Sequence, residues 1–184
     1  ECLDDFLSHQ QQVEACYRFS IEAYEHNHRV SKRVACANAQ PFCGHKMHLS
    51  GAKTGLRFLG AFADTAKRFG IFELLERWVG RSGELQVRTL TSYLKLVNSA
   101  GLAYILNFSL MRVEEAWNLR AGCLEVEHDK NFGDIFLLRG QTTKTQADSD
   151  ALWVTSPSVK VAVRGMEGIS LFRSLSAPHV AASG

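Results

Sequence analysis

The side chains best placed to do chemistry are one arginine and one lysine. Arg112 stands in N-F-S-L-M-R-V-E-E-A-W-N-L (107–119), among Phe108, Leu110, Met111, Val113, Ala116 and Trp117, a composition that asks for burial. A guanidinium has five donors and does not give up its charge, so a half-buried one demands an anionic partner. Glu115 is one candidate, a helical turn away; a phosphate from outside the chain is the other. Lys144, in Thr143-Lys144-Thr145, falls in the polar link Q-T-T-K-T-Q-A-D-S-D. An ammonium on a flexible stem at a hairpin tip is a point-charge donor that reaches outward. The plain structural readings are an intrahelical Arg112–Glu115 pair and a solvated turn lysine.

A second group of charges points to the same class of partner. From His26 to Ala63 there is no acidic residue, whereas Arg29, Lys32, Arg33, Lys46, Lys53 and Arg57 are basic and four histidines lie among them. Such a patch draws polyanions by releasing their counterions. Arg29, Lys32 and Arg33 are its candidate DNA contacts; the alternative is a solvated face whose acids lie elsewhere in three dimensions. Cys36, Cys43, His45 and His48 have the residue types of a zinc site. Their spacing, C-x6-C-x-H-x2-H, matches no compact tetrahedral finger, so free thiols and solvated histidines are expected and no metal or other cofactor.

Composition bounds the class. Apolar content of 46% with 22% charged residues in 184 is that of a globular domain, not of a disordered chain. No apolar run approaches the length that spans a bilayer, and E-C-L-D-D-F-L lacks the order of a signal peptide. Five cysteines without a framework spacing suit a reducing cytosol, so a cytoplasmic location is expected.

The elements that must position these groups follow from periodicity. Leu3, Phe6, Leu7, Val13, Tyr17, Ile21 and Tyr24 predict a first amphipathic helix over 3–25. Residues 26–54 read as irregular. Leu56 to Phe69 resumes the helical period, with Gly70 as its stop, and 71–79 forms a shorter helix ended by G-R-S-G. That punctuation marks the expected domain boundary, dividing 1–81 from 82–184. Val87, Leu90, Leu94 and Val97 predict a further helix broken near Gly101, then a short one from 102 to 108, then one capped by Ser109. After Leu119 the period becomes two. C-L-E-V-E-H, D-I-F-L-L-R-G and A-L-W-V-T predict three strands, and Ser156-Pro157 opens a last helix that Gly165 interrupts. The expected fold is mainly α with a small three-stranded antiparallel sheet.

Arginine at a helix start, three strands, a lysine between the last two and then a helix: in this order the chain resembles the tyrosine recombinases, or phage-type integrases, over about residues 87–165. Their first box reads roughly Thr-Gly-Leu/Met-Arg-x-x-Glu, with a leucine four residues on. Ser109-Leu110-Met111-Arg112-Val113-Glu114-Glu115, then Leu119, fits that spacing, and Thr143-Lys144-Thr145 matches the hairpin lysine. The resemblance implies an integrase-like catalytic-domain fragment acting on duplex DNA, with Arg112 and Lys144 as catalytic residues. Glu115 supports the arginine, and Thr143 and Thr145 contact DNA. It assigns the lysine as general acid to the leaving 5′ oxygen. Cationic donors aimed at phosphoryl oxygens suit phosphodiester transfer, and the first turn of a helix is expected to add its N–H groups and dipole.

The departures are specific. Leu110 replaces the glycine of the box, and Cys123 replaces an acidic residue. The family's His-x-x-Arg box and nucleophilic tyrosine, which follow the lysine, have no counterpart after Lys144; the tyrosines at 17, 24, 93 and 104 all precede Arg112. Without a nucleophile no covalent intermediate forms, so DNA binding without cleavage is expected. The family's later helices cover the core, so exposed apolar surface and self-association are expected too. The alternative is a non-catalytic DNA-binding or protein-interaction module of integrase-like fold.

Overall fold

Helical spacing dominates up to Trp117 and strand alternation follows it, and the computed structural model, which describes residues 1–30, 61–80, 85–142 and 148–181, keeps that division. The helices are α1 (Cys2–Ser8), α2 (Gln10–Val30), α3 (Phe62–Arg68), α4 (Phe72–Trp78), α5 (Val87–Ser109), α6 (Val113–Trp117) and α7 (Val159–Ala181). Between α6 and α7 lie β1 (Leu124–Asp129), β2 (Gly133–Thr142) and β3 (Asp148–Thr155). They pair antiparallel in the order β1-β2-β3. The described residues are thus mainly α with one small sheet. None of their helices is long and apolar enough to cross a membrane.

Two compact units are present: Glu1–Leu7 with Leu96–Ser170, and Ser8–Lys95 with Leu171–Gly184. The punctuation expected to part the chain lies, from residue 81 to 84, outside the described residues. In the second unit α2 buries Val13, Cys16, Ser20 and Ala23, while Tyr17 and Ile21 are only half-buried. Small residues form the closest-packed stripe, and the Ser20 hydroxyl is satisfied by donating to the Cys16 carbonyl at 2.8 Å. Tyr17 stacks on Phe172 and its hydroxyl reaches Ser176 at 3.1 Å. Gly70, at φ +70, ends α3: its N–H bonds the Lys67 carbonyl and that of Ile71 the Ala66 carbonyl. This is the left-handed helix stop that favours glycine.

Three sequence expectations are corrected here. The first helix breaks at His9 instead of running on, and α2 extends to Val30 into the stretch read as irregular. The predicted break at Gly101 is absent: α5 is one helix of 23 residues. Its buried stripe is Leu90, Tyr93, Leu94, Val97, Gly101 and Ile105, so the glycine lies inside the core face. There α7 comes so close that a Cβ on Gly101 would sit 2.7 Å from Met166 Cγ and 3.4 Å from the Ala162 carbonyl. The missing side chain serves helix packing, not helix termination. Gly165 likewise does not interrupt α7, which places it beside Leu3, Phe6 and Val97.

In the sheet, Leu124, Leu138 and Trp153 stand in cross-strand register on one face, with Leu138 fully buried. Thr155 of β3 bonds the Phe108 carbonyl at the end of α5 (3.3 Å). On the other face Arg139 forks onto Glu125 and also holds Asp150, so the Glu125 carboxyl sits below the usual range. Leu119 and Trp153 close over Gly140, 3.0 and 3.3 Å from where its Cβ would be. That contact gives the leucine after the arginine box a physical role: it seats the end of α6 on β2.

Candidate functional site

The turn from α5 into α6 places Arg112. The Ser109 hydroxyl donates to the Ile105 carbonyl at 2.7 Å and accepts the Met111 N–H at 3.3 Å. Ser109 therefore closes α5 and does not cap α6, as the sequence had suggested; its buried hydroxyl bonds back down its own helix. Leu110 follows at φ +55, the one described residue other than glycine with positive φ. It is 89% exposed. The turn thus has the backbone that a glycine favours while carrying a leucine. A non-glycine residue there costs about 1–2 kcal/mol, and Leu110 recovers little by burial. Leu110→Gly is expected to raise stability by about 0.5–1 kcal/mol. An unchanged or lowered denaturation midpoint would refute that.

Arg112 is the N-cap of α6, with extended backbone (φ −71, ψ 151). Its own N–H donates to Glu115 Oε2 at 2.9 Å, while Glu115 Oε1 accepts the Thr142 hydroxyl at 2.7 Å. Guanidinium Nη1 stands 3.6 Å from Oε1, an ion pair too long for a hydrogen bond. Glu115 is buried, whereas the Arg112 side chain is 51% exposed. One carboxylate thus fastens the start of α6 to the end of β2 and leaves the guanidinium close by, with its charge open to solvent.

Arg112 is half-buried as expected, but the burial that its apolar neighbours ask for is met only in part. Ser109, Met111, Glu115 and Ala116 turn inward, whereas Val113 and Trp117 are well exposed, Trp117 at 64%. A helix of five residues also has little dipole, and the N–H of its N-cap residue, Arg112, is already taken by Glu115.

Lys144, Thr143 and Thr145 lie outside the described residues, as do Lys32, Arg33 and the Cys36, Cys43, His45, His48 group. Arg29 falls in the last turn of α2. Among the described residues no cluster of His, Cys, Asp and Glu has the make-up of a metal site. What the sequence reading missed is Thr142, two residues before Lys144. Its signal is a hydroxyl at the point where a strand pattern gives way to a polar link, opposite Asp148 in the ladder.

Cys123 is buried at the head of β1, and burial pushes its thiol up to about 11. Cys16 is pushed up to about 12 in the same way. Thiolate is the reactive form, so near pH 8 both are expected to alkylate at least about a hundredfold more slowly than a free thiol, Cys16 the slower of the two. Peptide mapping after brief iodoacetamide treatment tests this; rapid labelling of either one in the folded chain would contradict it. Comparison with protein-family models, with curated proteins and with solved structures gives no match for this chain.

Proposed function

We propose that these residues are part of a tyrosine-recombinase-type DNA breaking-and-rejoining domain that grips a backbone phosphate of duplex DNA. Arg112 supplies one positive charge and Lys144 the other. The observation that carries this reading is the Glu115 bridge. It ties Thr142, at the root of the link bearing Lys144, to the main chain of Arg112, while the guanidinium stays exposed. A purely structural arginine would hydrogen-bond its carboxylate; this one does not. The left-handed Leu110 at the glycine position of the box supports the same reading.

An arginine fork stabilises charge redistributed on phosphoryl oxygens, and the lysine donates the proton that the departing 5′ oxygen requires. Lacking a tyrosine beyond Lys144, the 184 residues bind and do not cleave. The basic stretch with Arg29, Lys32 and Arg33 adds backbone contacts, and the setting is the cytoplasm. The test is duplex binding followed by fluorescence anisotropy across a salt series, alongside a denaturing gel for covalent adducts. Salt-sensitive binding with no adduct is expected; binding indifferent to ionic strength would refute the reading.

One observation favours a second, compatible property. Leu110, Val113 and Trp117 expose apolar surface beside Arg112, and a second copy of the chain covers it on self-association. Sedimentation should show an oligomer that Trp117→Ser weakens; a wild-type monomer at all concentrations would dispose of this.

A further inference from the structure

A cavity of about 200 Å³ opens between the turn after α6 and the end of β2, lined by Asn118, Arg120, Gly122, Arg139, Gly140 and Gln141 among others. Four of these side chains carry N–H donors, and none of the lining residues is a carboxylate. One of these four side chains and one main-chain donor are already committed. Arg139 is held by Glu125 and Asp150, and the Gly122 N–H goes to Glu167 Oε1 at 2.7 Å. The Arg120 guanidinium and the Asn118 and Gln141 amides are exposed and, among the described residues, bond to nothing. Three donors without a partner therefore line one concave pocket.

Its position relates it to Arg112. Arg112 and Asn118 are the two caps of α6, and Gln141 precedes the Thr142 that Glu115 holds. Six residues of helical rise separate the caps by about 9 Å, a distance on the scale of neighbouring phosphates on one strand. The surrounding charge narrows the ligand further. Glu125, Asp150 and Glu167 outnumber the guanidiniums of Arg139 and Arg120, so these surroundings disfavour a doubly charged free phosphate more strongly than a singly charged diester.

We propose that this pocket takes a second phosphodiester of the same nucleic-acid strand, with Arg120 supplying the charge and Asn118 and Gln141 the neutral donors. The proposal rests on reading Arg112 as a phosphate ligand, and its test separates the two. In duplex binding by the whole chain, Arg120→Gln is expected to lower the slope of log affinity against log salt by about one. Arg120→Lys should restore most of that slope, and thermal stability should not change. If Arg112→Ala lowers the slope and Arg120→Gln leaves it at the wild-type value, the pocket is not a phosphate site. If the wild type binds no duplex at all, the Arg112 reading falls and the pocket is judged alone, with a thymidine dinucleotide carrying one phosphodiester. Amide shifts at Gly122 and Gly140 that vanish in Arg120→Gln then sustain it, and their absence in the wild type overturns it.

Discussion

Arg112→Ala is expected to weaken duplex binding about ten- to hundredfold at low salt, since a hydrogen-bonded contact between charged groups contributes roughly 1.5–3 kcal/mol. The loss should shrink as salt rises, with the slope against log salt falling by about one. Stability should barely move. The guanidinium is half exposed and 3.6 Å from Glu115, and such a pair contributes about 0–1 kcal/mol. That combination separates a phosphate ligand from a structural ion pair, for which the fold would weaken and binding would follow it down. Arg112→Lys should recover only part of the affinity, because an ammonium keeps the charge without the planar fork. Equal binding by wild type and alanine variant would end the account.

Glu115→Ala should have the largest effect on the fold. The carboxylate accepts the Arg112 N–H and the Thr142 hydroxyl from a buried position, so its removal leaves both donors without their acceptor. Losing two such bonds to a charged acceptor, one of them part-exposed, costs about 2–4 kcal/mol. For a chain of this size the melting temperature falls by about 5–15 °C. Glu115→Gln has one carbonyl oxygen where there were two and can satisfy one of the donors, so it should lie between wild type and alanine. DNA affinity should drop in both variants even where they remain folded, because the start of α6 and the end of β2 are no longer held together. A Thr142→Val variant, which removes one bond alone, should resemble the glutamine. If Glu115→Ala melts with the wild type, the bridge is not what joins these elements.

The strands were the most legible part of the chain. Alternation in 123–128, 134–140 and 151–155 marks three strands whose observed bounds, 124–129, 133–142 and 148–155, differ by a few residues at the ends. Glycines misled the reading of helices. Gly101 and Gly165 lack side chains because another helix or apolar groups fill that space, and a pattern along one chain cannot distinguish this from a stop. Gly70, at φ +70, is a true stop. Around the site, Val113 and Trp117 looked like core residues, yet a helix of five residues buries only one narrow face, and Glu115 and Ala116 occupy it. The pairing of Arg112 with Glu115 was visible from spacing. The stronger bonds of that carboxylate, to a main-chain amide and to a threonine 27 residues on, depend on how β2 returns to α6.

The close approach at Gly101 carries a liability of its own. Met166 lies against the bare α-carbon there, with its sulfur 3.0 Å from where a Cβ would be. Oxidising that thioether to the sulfoxide adds a polar oxygen to a contact with no spare volume. Peroxide damage to this chain should therefore act as a wedge between α5 and α7, loosening the helix that leads into the arginine turn.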